Sequence, residues 1–156
     1  MKREFLLIHF YFVDLTWVNS CNRKRIVFKN LVNAQPILFA INPDNRLNND
    51  YCLPLLDYDA WDQERWGVNL QAYYEHKTIE VRIHEGTIDS KIINKWIELL
   101  LNIKNKDTVI DSNTFHHLNS FFKEFNINKE LRSYIKRRLK KFSRSEKELK
   151  SILKVA

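Results

Sequence analysis

The sequence predicts an α+β protein, with strands mostly in the first half of the chain and helices mostly in the second. Before residue 85, short runs rich in β-branched and aromatic residues show the two-residue alternation of strands. After residue 90, apolar residues recur every three or four positions, as in amphipathic helices. The 156 residues are 44% apolar and 29% charged, so the chain can bury the core of one domain.

Four segments of the first half predict strands, because they are short, rich in strand-forming residues and bounded by turn residues. They are residues 5–13, 51–56, 67–73 and 77–84. A helix is predicted to follow a cap at Ser20 or Asn22 and to carry the apolar residues from Ile26 to Ile41, and Pro36 should bend or divide it, because proline lacks a backbone N–H. The helix should end before Pro43, where an Asn-rich loop begins.

The second half predicts three helices separated by short turns. The first should have Asp89 or Ser90 as its cap, since a short polar side chain can accept a backbone N–H there. Its apolar stripe contains Ile92, Ile93, Trp96, Ile97, Leu99 and Leu100. The other two helices are predicted over about residues 112–125 and 129–153.

The composition excludes several classes of protein. With only two glycines, the chain cannot build a Gly-rich phosphate loop or a dinucleotide fingerprint. Its two cysteines lie 31 positions apart, which predicts reduced thiols and neither a CxxC metal site nor a disulfide framework. No apolar stretch reaches the roughly 18 residues of a membrane span. We therefore expect a cytoplasmic protein that does not bind membranes.

The net charge of +7 is concentrated at the C-terminus. From Lys129 onward there are 11 Lys and Arg against three Glu, whereas residues 1–128 are nearly neutral. We expect a domain over residues 1–128 and a basic helical extension over 129–156, packed on that domain or trailing it. Its exposed face is predicted to carry Arg137, Arg138, Lys140 and Lys141. This pattern is typical of an ordinary solvated helix and also of a nucleic-acid-binding helix.

The segment from Lys77 to His84 is the clearest strand, because its residues alternate strictly. The apolar face consists of Ile79, Val81 and Ile83, and the polar face of Thr78, Glu80, Arg82 and His84. The polar face could lie in water, or it could hold a Glu80–Arg82 salt bridge. It could also handle ATP, since Glu binds Mg²⁺ through oxygen, Arg grips phosphate and His exchanges protons near neutral pH.

Two further polar residues lie on neighbouring strands. If segment 67–73 pairs antiparallel with 77–84, Asn69 or Gln71 should border the face of Glu80 and Arg82. His9 is the one polar residue within the first strand, and it is either a hydrogen-bonded core residue or a ligand.

Four segments in this order and spacing resemble the putative amidoligase family of carboxylate–amine ligases, which are related in fold to glutamine synthetase. The segments are NRLNNDYCLP from Asn45, RWGVNL from Arg65, TIEVRIHEGTID from Thr78 and KIINKWI from Lys91. The resemblance covers about residues 45–101. It implies a curved antiparallel sheet whose polar face lines the active site, with helices packed on one face.

The resemblance also implies a carbon–nitrogen ligase that phosphorylates a carboxylate with ATP and passes the acyl phosphate to an amine. Its substrates would be a small-molecule or peptide carboxylate and an amine. Carried over, Glu80 would bind Mg²⁺ and Arg82 would stabilise the transferring phosphoryl group. Together with Arg82, we expect Asn69 and His84 to contact the ATP.

Two more residues have counterparts in the family's pattern. Arg46 would be a second cationic contact to phosphate or substrate, and His9 matches a histidine on an earlier strand. Family members open with a Glu-x-Glu strand that helps to hold the metals, whereas this sequence has only Glu4 there. The chain therefore resembles an amidoligase without that first strand, and three states are open: a full ligase domain with divergent ends, a fragment whose missing strand is in another chain, or a degenerate protein that reuses the fold. A second copy in a homo-oligomer, or a partner chain, could cover the exposed sheet edge.

A different class of function is also open at this point. The chain could be a non-catalytic nucleic-acid-binding protein that keeps the ligase-like sheet as a scaffold and binds through residues 129–156.

Overall fold

The structure is a computed structural model, and it describes residues 11–14, 21–44, 67–69, 72 and 77–143. Three strands form a small antiparallel sheet: β1 (Tyr11–Asp14), β2 (Val68–Asn69) and β3 (Thr78–Val81). The helices are α1 (Cys21–Asn33), α2 (Gln35–Ala40), α3 (Ser90–Lys104), a 3₁₀ helix (Ser112–His116), α4 (Leu118–Glu124) and α5 (Lys129–Phe142). The predicted mixture of helices and strands is confirmed, with helices in the majority.

The sheet has the order β1-β3-β2, and both pairings are antiparallel. Glu80 on the central strand therefore stands between Phe12 of β1 and Asn69 of β2. The predicted antiparallel pairing of the segments around Asn69 and Glu80 is confirmed. The predicted strands were too long, however, since β3 ends at Val81 and Ala72 lies in a helix. The strand predicted over 51–56 and residues 5–10 lie outside the described residues.

Pro36 divides the first helical segment, as predicted. Helix α1 ends at Asn33, and α2 begins at Gln35 with the proline in its first turn. A proline is tolerated there, because the N–H groups of a first turn have no partner within the helix. The segment starts at Cys21, directly after Ser20, which is one of the two caps predicted for it.

Helix α3 begins as predicted, with Asp89 as its cap. The Asp89 Oδ1 accepts the N–H of Lys91 at 2.9 Å. Trp96 and Leu99 are fully buried, whereas Ile97 is 39% exposed and does not belong to the core-facing stripe. Ile103, one turn beyond the predicted stripe, is fully buried instead.

The two later helices differ from their predicted bounds. The helix predicted over 112–125 is a 3₁₀ helix and α4, separated by the extended backbone of His117. Helix α5 is capped by Asn128, whose Oδ1 accepts the N–H of Leu131 at 2.9 Å. It ends at Phe142, because Ser143 is extended, and residues 144–153 lie outside the described residues.

One continuous apolar cluster unites strands β2 and β3 with helices α1 to α5. Its fully buried members include Leu31, Ile79, Trp96 and Phe121 from different elements. Helix α5 contributes Leu131, Ile135 and Leu139 to the same cluster. Within the described residues, no helix has the length and apolarity needed to cross a membrane.

The prediction that Arg138 lies on the exposed face of α5 was wrong. Arg138 is only 5% exposed, because it lies one turn after Tyr134 and Ile135 on the face that packs on the core. The exposed cationic residues of α5 are Lys129, Arg132, Lys136, Arg137, Lys140 and Lys141. Arg138 is therefore buried, whereas the other basic residues of this helix face the solvent.

Polar contacts also join α5 to α3. Lys95 Nζ lies 2.8 Å from Glu98 Oε2 and 3.2 Å from Glu130 Oε2, and the hydrogen bond to Glu98 raises the pKa of Lys95. Glu98 Oε1 accepts from Asn128 Nδ2 at 2.6 Å. The start of α5 is thus held beside the middle of α3.

Helix α1 holds the segment that follows α3 through side chains. Asn30, which is fully buried, donates from Nδ2 to the Thr108 carbonyl at 2.9 Å and accepts the Ile110 N–H at 2.8 Å. Arg23 donates to the carbonyls of Lys104 and Lys106, at 3.1 and 2.9 Å. A cation at a helix C-terminus is favourable, since the carbonyls there carry partial negative charge.

We predict that Asn30→Ala lowers the free energy of unfolding by about 2 kcal/mol, since it removes two hydrogen bonds and leaves a buried N–H of Ile110 unsatisfied. Urea denaturation followed by circular dichroism measures this. Asn94→Ala on the exposed face of α3 is the matched control, with an expected change within about 0.5 kcal/mol. Equal stability of the two variants would contradict the structural role of Asn30.

Candidate active site

The site is centred on Glu80, in the middle of the sheet. Its side chain is 7% exposed, and its Oε2 accepts two hydrogen bonds. Asn69 Nδ2 donates at 3.0 Å from the neighbouring strand, and Arg82 Nη2 donates at 2.7 Å from two residues along the chain. The predicted neighbourhood of Asn69, Glu80 and Arg82 is therefore present in the structure.

Strand geometry explains why these three side chains meet. Directly opposed residues of an antiparallel pair point to the same face, which places Asn69 beside Glu80. Residues two apart in a strand also share a face, which places Arg82 on the same side. Although β3 ends at Val81, the Arg82 N–H still donates to the Gly67 carbonyl at 2.8 Å and keeps Arg82 at the sheet.

Both faces of this segment are covered. Ile79, Val81 and Ile83 are fully buried as predicted, but Glu80 and His84 on the polar face are only 6% and 1% exposed. The interpretation of a polar face in open water is therefore wrong. A carboxylate removed from water needs a cation and hydrogen-bond donors, and Arg82 and Asn69 provide them.

The salt bridge between Glu80 and Arg82 is one of the sequence-based alternatives, and it is present at 2.7 Å. This salt bridge is compatible with a ligand site, because Asn69 and Arg82 both donate to the Oε2 atom of Glu80. The Oε1 atom of Glu80 accepts no hydrogen bond from the described residues. A guanidinium has five N–H donors, of which Glu80 takes one. The pair therefore presents a carboxylate oxygen and a cation side by side.

His84 lies at the end of this segment and packs against helix α3. Its ring centroid is 4.7 Å from that of Trp96, and its Nδ1 is 2.5 Å from the Glu85 carbonyl oxygen. A carbonyl oxygen can only accept, so Nδ1 carries the hydrogen and the neutral ring is the Nδ1–H tautomer. This backbone contact fixes the orientation of the ring.

Three residues near His84 were not singled out from the sequence as site residues: Asn42, Glu85 and Arg138. Arg138 forms an ion pair with the Glu85 carboxylate, and its Nη2 donates to Asn42 Oδ1 at 3.2 Å. The same Asn42 oxygen accepts the Glu85 N–H at 3.1 Å. No sequence signal marked this set, because its members are up to 96 residues apart.

The remaining predicted site residues, Arg46 and His9, lie outside the described residues. Within the part of the chain that the structure describes, no cluster of three or more His, Cys, Asp or Glu residues could hold a metal ion. The roles assigned to the six predicted site residues stay predictions.

We predict that Arg82→Met lowers the free energy of unfolding by about 3 kcal/mol, because it leaves the buried Glu80 carboxylate without its cation. The double variant with Glu80→Gln should cost less than the sum of the single variants, with a coupling energy of about 1 to 3 kcal/mol. Chemical denaturation of the four proteins in this cycle measures the coupling.

The control cycle uses the salt bridge between Lys106 and Glu124, at 3.0 Å on the surface. Its coupling energy should stay below about 1 kcal/mol, because water screens the two charges. If the coupling energy between Arg82 and Glu80 is no larger than that of the control pair, the buried ion pair is contradicted.

Comparison with known proteins gave a family match over the part of the chain that contains this site. Residues 37–104 match a protein-family model described as a putative amidoligase enzyme. The match spans 68 of the 156 residues and runs from α2 to the last residue of α3, so it includes Asn69, Glu80 and Arg82. Searches of curated proteins and of solved structures gave no match. The resemblance found in the sequence motifs is confirmed for residues 37–104, which are similar to this family model.

Proposed function

We propose that the chain is a carboxylate–amine ligase that depends on ATP and Mg²⁺ and acts through an acyl phosphate. One observation supports this most directly. The segment that matches the amidoligase family model carries a carboxylate, Glu80, on the central strand of the sheet and a guanidinium, Arg82, beside it just after that strand. The glutamine synthetase-like curved sheet is part of the same proposal.

The proposed reaction has two steps. A carboxylate oxygen of the substrate attacks the γ-phosphorus of ATP, the bond to the β–γ bridging oxygen breaks, and ADP leaves. The amine nitrogen then attacks the acyl carbon, the bond to the phosphate oxygen breaks, and inorganic phosphate leaves while the amine gives up a proton. Both steps depend on charge neutralisation and on positioning.

Glu80 is the residue proposed to hold Mg²⁺. Carboxylate oxygens suit this ion, which commonly takes one or two protein carboxylates and completes its shell with phosphates and water. Glu80 Oε1, which accepts no hydrogen bond from the described residues, fits this role. When bound, the ion would neutralise negative charge on the ATP phosphates.

Arg82 is the residue proposed to stabilise the transferring phosphoryl group. A guanidinium matches two phosphate oxygens at once, and its charge opposes the charge that develops in the transition state. Glu80 now holds Nη2 of Arg82, so phosphate oxygens would compete with Glu80 Oε2 for this cation. Asn69 keeps one donor on the Glu80 carboxylate during that exchange.

Other residues complete the proposed site. Arg46 would contact phosphate or substrate, and His9 would lie near them on an earlier strand. His84 was expected to contact ATP, but at 1% exposure and against Trp96 it is better suited to positioning the segment that carries Arg82.

The comparisons do not support the alternative function as a non-catalytic nucleic-acid-binding protein. The described part of the basic helix also packs on the same core as the sheet. We therefore propose the ligase function and not the nucleic-acid-binding function.

We predict that the chain binds ATP only in the presence of Mg²⁺, and that Glu80→Gln weakens this binding at least about tenfold, since a neutral amide is a poor ligand for a hard cation. Isothermal titration calorimetry with and without Mg²⁺ measures it.

Glu124→Gln is the matched control, because Glu124 lies on α4 in a surface salt bridge. It should bind MgATP like the unaltered chain. Absence of MgATP binding by the unaltered chain, or equal binding by Glu80→Gln, would overturn the proposal. Circular dichroism of each variant checks that it is folded.

A further inference from the structure

Arg138 lies on helix α5, 34 residues beyond the segment that matches the amidoligase family model. We propose that Arg138 is a positioning residue for the candidate site, acting through Glu85 and Asn42 on His84 and on the segment that carries Arg82. The inference rests on the proposed function for its link to catalysis. Its link to the geometry of His84 stands on contacts within the structure.

Three parts of its guanidinium contact three different acceptors. Nε donates to the Ile41 carbonyl at 2.8 Å, Nη2 donates to Asn42 Oδ1 at 3.2 Å, and Nη1 forms an ion pair with Glu85. The side chain is 6% exposed, and its guanidinium carbon lies 4.6 Å from the Phe142 ring centroid. A buried guanidinium with all these partners has one orientation.

Each polar group of Glu85 makes a hydrogen bond or an ion pair. Its N–H donates to Asn42 Oδ1, its carboxylate pairs with Arg138, and its carbonyl accepts from His84 Nδ1. Asn42 is itself fixed, since its Nδ2 donates to the Leu38 carbonyl at 2.8 Å. Arg138 therefore sets the place of the Glu85 peptide from two sides, directly and through Asn42.

Because the Glu85 carbonyl accepts a hydrogen bond from His84 Nδ1, it selects the Nδ1–H tautomer of His84. The same contact orients the ring of His84 against Trp96. His84 is two residues from Arg82, in a stretch that has left the regular strand pairing after Val81. The sheet therefore fixes one end of this stretch and Arg138 fixes the other. Movement at Glu85 would be transmitted over three residues to the guanidinium of Arg82.

A lysine cannot reproduce this arrangement. Its single ammonium group lacks the planar set of donors that reaches Ile41, Asn42 and Glu85 together. Arg138→Lys keeps the charge and the aliphatic stem, so it should fold while losing the fixed position of Glu85. Arg137→Lys is the matched control, because Arg137 is the exposed neighbour on the same helix.

The test uses the full 156-residue chain and two readouts. Long-range ¹H–¹⁵N NMR reports the tautomer of His84, assigned by the loss of its signals in His84→Asn. Calorimetry with MgATP reports the site. We expect Nδ1–H in the unaltered chain and in Arg137→Lys. In Arg138→Lys we expect a mixture of tautomers and MgATP affinity lowered by about tenfold or more.

Each outcome has a defined meaning. An Arg138→Lys protein that melts at a lower temperature but keeps the Nδ1–H tautomer and normal MgATP affinity would overturn the inference and leave Arg138 as a structural anchor. If the unaltered chain binds no MgATP, the proposed function fails, and the tautomer alone decides whether Arg138 positions His84. If Arg138→Lys does not fold, Glu85→Ala takes its place, with the same two results expected.

Discussion

Strand β3 is the central constraint of this structure, because it lies between two strands and has both of its faces covered. A charge on such a strand is removed from water and must be compensated by its neighbours. Glu80 is compensated by Arg82 along the chain and by Asn69 across the sheet. The requirement to satisfy one buried carboxylate thus fixes the pairing register and the placement of a guanidinium.

A second buried charge follows the same rule over a longer distance. Arg138 enters the core from helix α5 and finds its acceptors at the end of α2 and just after β3. The two arginines therefore lie on either side of the short stretch that contains His84. Arg82 is hydrogen-bonded to Glu80 on β3, and Arg138 is bound to Ile41 after α2 and to Glu85. The backbone between Arg82 and Glu85 therefore has little freedom.

The sequence predicted what depends on local patterns. Alternation along 77–84 identified the buried face of β3 and the neighbourhood of Asn69, and the short polar side chain of Asp89 marked the start of α3. It could not predict that Glu80 and His84 on the polar face are buried, since alternation shows two faces but not what packs on each. Likewise, the pattern of α5 placed Arg138 with the solvent-facing cations, because its partners, Ile41 and Glu85, are remote in the sequence.

The exposed cations of α5 have a consequence for the order in which the chain folds. Three pairs at i,i+4 spacing repel one another, each by about 0.2 to 0.5 kcal/mol in an isolated helix. They are Arg132–Lys136, Lys136–Lys140 and Arg137–Lys141. The helix therefore gains little stability by itself and becomes persistent when it docks. Since Arg138 docks on Ile41, 97 residues away, we expect this helix to form late in folding, together with the non-local contacts.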